Sequence, residues 1–398
     1  MLNFLNVVFN ILFDVSYSIN EFEILIVLIS VSIILSIFLL DLVRGLSIRL
    51  NAFDRPNERS SHQYKVPTLG GLAIGIVWFS ILLLHTILFE EHISSDEIYS
   101  FMIMGLCIVI IGIYDDIKGI KPLYKFFVQL FTFFLLARLD NSLISSFYGL
   151  FNIYELDQIY SVVFSCFVFI GIVNAINLVD GIDGLSSSLT LFFIFIFSYL
   201  FYLSGQFYYH ILLPFASTII VFLTYNFSKK KKMFLGDTGS LGFGLLLATI
   251  SLGALNSSKG VDVFMPINPA LFVVLCISYP LLDVVRVFVL RLYKGISPFK
   301  PDRSHLHHLL IDKGFSHAKS VMLIISFQAF LLLFNLFIIK DLIFHNQLIV
   351  NIIVVGLILY LLKRIKYYLK LLNFISPPIM VINILVSRIL SSSTVNMS

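Results

Sequence analysis

NAINLVDGIDGL, residues 174–185, follows an apolar segment over residues 159–173 that contains no proline. The two stretches together predict a membrane-spanning helix that ends in three polar side chains: Asn177, Asp180 and Asp183. Residues three apart share a helix face, whereas a residue six positions on has rotated away from it. Gly181 and Gly184 allow the backbone to leave helical geometry directly after Asp180. Acidic groups at the mouth of a membrane helix usually face a cavity or a pathway.

The composition excludes a soluble protein. Of the 398 residues, 59% are hydrophobic and only 13% are charged, and the mean hydropathy is +0.97. We predict an all-α, polytopic transmembrane bundle of about 10–11 spans that forms one domain over residues 1–398, with a C-terminal tail over 365–398. The apolar stretches that are long enough to cross a bilayer lie at about 22–42, 68–89, 98–114, 122–139, 159–179, 185–203, 208–225, 239–256, 266–289, 320–339 and 346–362.

Lysine and arginine are concentrated on one side of these predicted spans. Of the 27 residues, only Arg138, Lys259 and Lys340 fall on the other side. Because cytoplasmic loops carry an excess of positive charge, we predict that the N-terminus is outside and the C-terminus is cytoplasmic. Every unusual polar cluster lies on the same, basic side, which predicts one site built from several inner loops. The clusters are RPNERSSHQYKVPTLGG (55–71), YDDIKGI (114–120), NLVDGIDGL (177–185), NFSKKKKMFLGDTGS (226–240) and SPFKPDRSHLHH (297–308).

The acidic residues of these clusters favour metal and phosphate chemistry. Asp115 and Asp116 close the third predicted span, and adjacent helical residues point about 100° apart, so we expect the two carboxylates to do different jobs. One is predicted to be a base or a metal-proximal ligand, and a pair of solvated acids is the alternative. Asn177, Asp180 and Asp183 supply oxygen ligands suited to Mg²⁺, which takes few protein oxygens plus substrate phosphates. Polar capping of a helix end is the alternative for this second group.

Asp237 is flanked by Gly236 and Gly239 at the start of a helix of small residues. Glycines permit a phosphate to approach the backbone, and the N–H groups of a helix start favour anions. Small residues also mark packed membrane helices, so the glycines alone are a weak signal. Lys65 is expected to contact a phosphate and Asn226 to be a polar contact. The run 229–232 of four lysines predicts a topology signal, with substrate steering as its lesser role.

Three histidines within four residues follow Arg303: His305, His307 and His308. No cysteine accompanies them, so the cluster favours contacts to an anionic substrate over a transition-metal site. A basic loop attracted to anionic lipid is the alternative. The remaining histidines are interpreted as ordinary loop or interfacial residues: His62, His85, His92, His210, His317 and His345.

Acidic ligands, a glycine-flanked loop and basic side chains at one membrane boundary suit phosphoryl transfer between a water-soluble and a lipid substrate. The main rival is an ion-coupled transporter, since intramembrane acids and broken helices also occur there. Transporter sites lie near the middle of the membrane, whereas these acids cluster at the inner ends of spans. Asp283 is the exception, and Arg286 three residues on is expected to compensate it. A non-catalytic scaffold does not explain five clusters on one side.

Four motifs, YDDIKGI, NAINLVDGIDGL, FLGDTGSLGFG and PDRSHLHH, resemble in this order those of the polyprenyl-phosphate N-acetylhexosamine-1-phosphate transferases, glycosyltransferase family 4. The resemblance covers roughly residues 40–320, and HLHH is closer to the WecA/TagO-like branch than to the MraY branch, which has consecutive histidines there. The resemblance implies that N-acetylglucosamine 1-phosphate passes from UDP-N-acetylglucosamine to undecaprenyl phosphate with release of UMP, which initiates a cell-envelope polysaccharide. Phospho-MurNAc-pentapeptide transfer of the MraY type is the alternative within the family.

The resemblance further implies Mg²⁺, with Mn²⁺ as a second choice, and a bacterial inner-membrane enzyme whose site faces the cytoplasm. It implies no nucleic-acid partner and leaves a homodimer open. Asp237 and Asn177 would hold the metal, Asp115 would activate the lipid phosphate with Asp116 beside it, and Asp180 and Asp183 would shape the nucleotide-sugar pocket. The residues that would contact the sugar and diphosphate are Arg303, His305, His307 and His308, with Lys65 and Asn226 as weaker choices.

Single and double displacement are both compatible with these residues. In the first, the lipid phosphate attacks directly with Asp115 as its base; in the second, a carboxylate such as Asp237 forms a covalent phosphosugar. A prenyl phosphate is already largely ionised near neutral pH and needs placement more than a strong base, which favours the single step.

Overall fold

In the computed structural model, the described parts of the chain are residues 21–54, 64–88, 95–139, 142–149, 152–206, 208–256, 267–297 and 303–375. Only the backbone is described for 95–96 and 361–375. The sequence-based predictions for both ends of the chain, and for 55–63 and 298–302 in two of the polar clusters, lie outside the described residues.

Thirteen helices and one two-stranded sheet form in these residues. Strand β1 (Phe53–Asp54) pairs antiparallel with β2 (Val66–Pro67). The helices are α1 (Glu21–Arg49), α2 (Gly70–Leu88), α3 (Ser95–Lys118), α4 (Pro122–Leu136), α5 (Gln158–Val179), α6 (Leu185–Leu203), α7 (Tyr209–Asn226), α8 (Gly236–Asn256), α9 (Pro269–Cys276), α10 (Ser278–Tyr293), α11 (Leu306–Asp312), α12 (His317–Phe337) and α13 (Phe344–Ile375).

The predicted all-α, multi-pass membrane fold is confirmed. Among the described residues, eight helices are long and apolar enough to cross a membrane, and the bent pair α9 and α10 makes a ninth candidate span. Two further apolar helices are shorter: α4 and the part of α13 over Phe344–Tyr360. Each of the eleven stretches predicted from hydropathy therefore coincides with apolar helix.

Helix α8 lies at the centre of the first of two compact units, which ends at Asp341. It packs against α2, α3 and α5, and small residues bring the helices close together. A Cβ on Gly71 would overlap the backbone of Gly239, and one on Gly244 would overlap the backbone of Val173. Several of the glycines near Asp237 therefore serve helix packing, as small residues commonly do in membrane proteins. The second unit begins at Leu342 and contains α13.

The predicted span 266–289 is not one straight helix, because α9 and α10 meet at an angle of 79°. Pro280 lacks the N–H group that would bond to the Cys276 carbonyl, so the helix breaks at Ile277. Gln328 of α12, only 1% exposed, replaces the missing bonds. Its Nε2 donates to the Cys276 carbonyl at 2.7 Å, and its Oε1 accepts from the Tyr279 amide at 3.3 Å.

We predict that Gln328→Leu lowers the stability of the protein, because both backbone groups at the break would be left buried without partners. Each such group costs about 1–3 kcal/mol, so the apparent melting temperature in detergent should fall by several degrees. Met322→Leu, on an exposed position of the same helix, is the matched control. An unchanged melting temperature for Gln328→Leu would mean that the bend does not depend on these bonds.

Candidate active site

The end of α3 caps the start of α8. The Asp116 carboxylate accepts from the Asp237 amide at 2.7 Å, from the Thr238 amide at 3.1 Å and from the Thr238 hydroxyl at 2.6 Å. A carboxylate at a helix N-terminus satisfies amides that have no partner within the helix. Gly236 is required here, because its φ is +75° and a Cβ would lie 2.5 Å from the Asp116 carboxylate. The N-terminus of α8, which was expected to receive a substrate phosphate, is thus filled by a side chain of the protein.

Lys125 links the two neighbouring carboxylates. Its ammonium group forms an ion pair with Asp115 and lies 3.0 Å from Asp237 Oδ1. Asp115 also accepts from the Ile120 amide at 2.7 Å, which fixes the turn between α3 and α4. Asp115 and Asp116 therefore do different jobs, as expected for adjacent helical residues: one faces the lysine and the other caps α8.

Asn177 and Asp180 complete the acidic cluster from the end of α5. The Asn177 amide nitrogen donates to Asp237 Oδ1 at 2.6 Å and to Ser240 Oγ at 2.8 Å. Burial, together with the negative charges of Asp237, Asp116 and Asp183, raises the pKa of Asp180 to about 8. The carboxyl group of Asp180 is therefore the member of the cluster that most readily takes up a proton near pH 7.

These side chains line one cavity of 450 Å³. It lies where the ends of α3 and α5 meet the start of α8 and the strands. The residues that line it among those described are Phe53, Asp54, Thr68, Asp115, Asp116, Asn177, Asp180, Gly181, Ile182, Asp183, Asn226, Phe234, Leu235, Gly236, Asp237, Ser240 and His308.

Asp183 is held by two basic side chains. Its Oδ2 lies 2.7 Å from Lys232 Nζ and 2.8 Å from His317 Nδ1. Burial alone would raise the pKa of Asp183, but the hydrogen bonds from His317 and Lys232 outweigh it and hold the pKa below its usual range. The side chain at this wall of the cavity is therefore a fixed carboxylate anion.

Asn226 fixes the backbone on the same side of the cavity. Its Oδ1 accepts from the Gly184 amide at 2.6 Å, and its Nδ2 donates to the Met233 carbonyl at 2.9 Å. Gly184 has a φ of +79°, which confirms that the chain leaves helical geometry there. Asn226 was expected to be a polar contact to substrate, and both of its polar atoms instead bind backbone groups.

Asp283 organises the segment that carries the histidines. Arg286 donates to Asp283 Oδ1 at 2.6 Å, and its guanidinium also binds the Ser304 carbonyl at 2.6 Å. His305 Nδ1 lies 2.8 Å from Asp283 Oδ2, and the Leu306 amide donates to the same carboxylate at 3.0 Å. The predicted pairing of Asp283 with Arg286 is confirmed, and it ties α10 to the start of α11. His305 faces Asp283 and is not among the residues that line the cavity.

The other two histidines differ in position. His307 is fully buried, with Nδ1 3.3 Å from the Tyr279 hydroxyl and its ring against Gly181. His308 lines the cavity. Burial and, secondarily, the charge of neighbouring basic groups lower the pKa of His307 to about 3 and that of His308 to about 4. Both rings are therefore mainly neutral near pH 7, and the expected contacts to an anionic substrate would be hydrogen bonds from a ring N–H group.

The structure thus brings eight of the predicted site residues to one cavity. The eight are Asp115, Asp116, Asn177, Asp180, Asp183, Asn226, Asp237 and His308. It does not bring Lys65, Arg303, His305 or His307 to the lining. Lys65 is exposed just before β2, and Arg303 forms a 2.7 Å ion pair with Asp312.

Three side chains that bind the carboxylates of the site were not predicted as site residues from the sequence. Lys125 and Lys232 were counted as topology signals, and His317 was interpreted as an ordinary loop residue. The acids cluster at the ends of spans, as predicted for an enzyme at the membrane boundary, and Lys125 lies at the start of the next helix after Asp115. The closeness of Lys125 to Asp115 in the sequence is the one feature that could have indicated that this lysine contacts the site.

Comparison with known proteins identifies the family of the chain. The family model described as glycosyl transferase family 4 matches residues 98–254. A decaprenyl-phosphate N-acetylglucosaminephosphotransferase of Mycolicibacterium smegmatis is 33% identical over 73% of this chain and 76% of its own. Undecaprenyl-phosphate alpha-N-acetylglucosaminyl 1-phosphate transferases of Haemophilus influenzae and Yersinia pestis are 30% and 28% identical, over 71% and 73% of this chain and 78% and 77% of theirs.

The chain belongs to glycosyl transferase family 4, the polyprenyl-phosphate N-acetylhexosamine-1-phosphate transferases. It is a phosphoglycosyltransferase of multi-pass membrane topology.

Proposed function

We propose that this enzyme transfers N-acetylglucosamine 1-phosphate from UDP-N-acetylglucosamine to undecaprenyl phosphate, releases UMP and so initiates a cell-envelope polysaccharide. The observation that carries the proposal is the meeting of Asp115, Asp237 and Asn177 in one cavity at the ends of membrane helices, where Lys125 bridges the two carboxylates. Such a site can receive a lipid phosphate from the bilayer and a nucleotide sugar from water. The names of the relatives support the lipid acceptor and the sugar.

The oxygen-rich side chains of the cavity would suit a hard divalent cation, although no three acidic, histidine or cysteine side chains of the described residues already converge on one point. Carboxylates outnumber the cations that contact them, and the raised pKa of Asp180, caused first by burial and then by its acidic neighbours, marks the deficit of positive charge. Asp237 and Asn177 are the residues that would hold Mg²⁺, since the amide of asparagine can present an oxygen by rotation. When bound, the ion would neutralise the diphosphate and polarise it toward attack.

The reaction follows as a single displacement. An oxygen of the lipid phosphate attacks the β-phosphorus of the nucleotide sugar, a new P–O bond forms, and the bond to the bridging oxygen breaks. The electron pair leaves with UMP. Lys125 offsets the charge of the incoming phosphate, and Asp115 fixes Lys125 and the turn that bears it. Asp116 holds Asp237 in place through the backbone of α8.

The basic side of the spans supports a site that faces the cytoplasm of a bacterial inner membrane. Lys118 and the run 229–232 lie close in sequence to the acids that line the cavity. UDP-sugars are soluble in the cytoplasm, so this orientation gives the donor direct access. The orientation is tested by labelling single cysteines placed at exposed loop positions from either side of sealed vesicles.

The activity is tested by UMP release from the purified protein in nanodiscs. We expect release only when UDP-N-acetylglucosamine, undecaprenyl phosphate and Mg²⁺ are all present, and an at least hundredfold loss with excess EDTA that Mg²⁺ restores. Undecaprenol, which lacks the phosphate, is the matched control acceptor. A panel that includes UDP-N-acetylgalactosamine and UDP-MurNAc-pentapeptide identifies the donor. Release of UMP from none of these donors would contradict the proposal.

A further inference from the structure

Asp183 is held by side chains from two distant parts of the chain. Asp183 lies between α5 and α6, and Lys232 precedes α8. His317 is the first residue of α12, 134 positions after Asp183. His317 Nδ1 lies 2.8 Å from Asp183 Oδ2 and 3.2 Å from the Asp183 amide nitrogen. Nδ1 donates to Oδ2 when it carries the ring proton and accepts from the Asp183 amide when it does not, so either tautomer of the imidazole binds Asp183. These three residues form the Asp183 clamp.

The clamp engages only one oxygen of the carboxylate. Lys232 and His317 both bind Oδ2, and no donor among the described residues contacts Oδ1. Asp183 lines the cavity, whereas Lys232 and His317 do not. The two basic groups thus engage Oδ2 and leave Oδ1 available as a second acceptor on a residue of the cavity lining.

Lys232 and His317 differ in how firmly they fix the orientation of the Asp183 carboxylate. A lysine is a point charge on a flexible stem and can stay paired with a carboxylate in several orientations. The His317 ring is planar, and its backbone is fixed at the start of α12, where the Ser316 hydroxyl caps the helix. Loss of His317 would leave Asp183 charged through Lys232 but free to rotate.

We propose that His317 is a positioning residue for the nucleotide-sugar donor, which it serves by orienting Asp183 so that Oδ1 accepts a hydrogen bond from an N–H or O–H group of the nucleoside part. This inference rests on the proposed function. Because His317 contacts Asp183, whereas Lys125 binds Asp115 and Asp237, we expect His317 to act on donor binding and to leave the transfer step unchanged.

The test is a set of three substitutions at one position. His317→Ala should raise KM for UDP-N-acetylglucosamine about tenfold, with kcat and KM for undecaprenyl phosphate within about twofold of the wild type. His317→Asn should restore most of the donor KM, because its amide nitrogen lies near the place of Nδ1. His317→Gln should not, because its amide reaches the place of Nε2. His345→Ala, in α13, is the control that should leave KM unchanged.

A double-mutant cycle tests whether His317 acts through Asp183. If His317 acts through Asp183, the donor KM of the Asp183→Asn, His317→Ala double variant should not exceed that of Asp183→Asn alone by more than about twofold. Additive effects, an unchanged donor KM in His317→Ala, or equal rescue by Asn and Gln would each overturn the inference. Melting temperatures of all variants are compared first. If His317→Ala does not fold, the donor KM of His317→Asn is compared with that of His317→Gln, and only the Gln variant should be impaired.

Failure of the proposed function can be told apart from failure of this inference. If the wild type releases no UMP from any UDP-sugar, the function is wrong, and calorimetric binding of UMP to the full-length protein then tests the clamp without turnover. Weaker UMP binding in His317→Ala, restored in His317→Asn, would still support it. Equal UMP binding in all variants would overturn it.

Discussion

Asp237→Asn is expected to lower kcat by about a thousandfold or more while the protein stays folded. The substitution keeps the shape of the side chain and removes the charge that faces Lys125 at 3.0 Å and that is placed to hold a divalent ion. The fold does not depend on that charge, because the Asp116 carboxylate binds the backbone amide of residue 237 and not its side chain. The measurement is UMP release at saturating donor, lipid and Mg²⁺, together with a melting curve.

A matched control removes an acidic charge elsewhere. Asp41 pairs with Lys231 at 2.9 Å, and its side chain is 46% exposed, so Asp41→Asn should change neither turnover nor stability measurably. Near-normal turnover in Asp237→Asn would show that the acidic cluster is not the reaction centre.

Loss of activity in Asp237→Asn does not by itself distinguish the two displacement mechanisms, because each needs this carboxylate. The distinction comes from the wild type incubated with donor and Mg²⁺ in the absence of lipid acceptor. A single displacement leaves the protein mass unchanged and releases no stoichiometric UMP. A phosphosugar bound to the protein would require a double displacement, with Asp237 as the first position to examine.

The acidic core of the site could be predicted from the sequence because charged groups are costly in apolar helices and are therefore conspicuous. Asp115, Asp180 and Asp237 stand at the ends of long apolar stretches, and the structure places all three at one cavity. Hydropathy likewise located the eight candidate spans of the described residues, because length and composition suffice for that purpose, but it also counted the bent pair and two shorter apolar helices as full spans.

The parts that could not be predicted depend on pairing between distant segments. Lysines of the inner loops look alike in sequence, and only the fold shows that Lys125 reaches Asp115 and Asp237 while Lys231 reaches a surface acid. His317 is far along the chain from its partner Asp183, so no local pattern connects them. The break at Ile277 had a local signal in Pro280, but a hydropathy average does not register the loss of one backbone hydrogen bond.

Lys125→Gln is the second substitution with a large expected effect. Lys125 is the cation between Asp115 and Asp237, and among the described residues no other lysine or arginine pairs with either of them. Without it, the acceptor phosphate would approach two carboxylates with less positive charge to offset the repulsion. We expect kcat to fall by about a hundredfold or more, and Lys125→Arg to recover only part of it, since a planar guanidinium does not fit the place of a compact ammonium.

In the same variant, the affinity for Mg²⁺ is expected to rise while turnover falls. Lys125 and a divalent ion compete to neutralise Asp237, so removing the lysine should strengthen the attraction for the ion. The Mg²⁺ concentration for half-maximal activity is expected to fall by at least about threefold even as turnover falls. Lys231→Gln removes an equal charge from an exposed pair and should change neither quantity. A higher Mg²⁺ concentration for half-maximal activity in Lys125→Gln would contradict this arrangement. It would mean that the lysine helps to hold the ion and does not compete with it for Asp237.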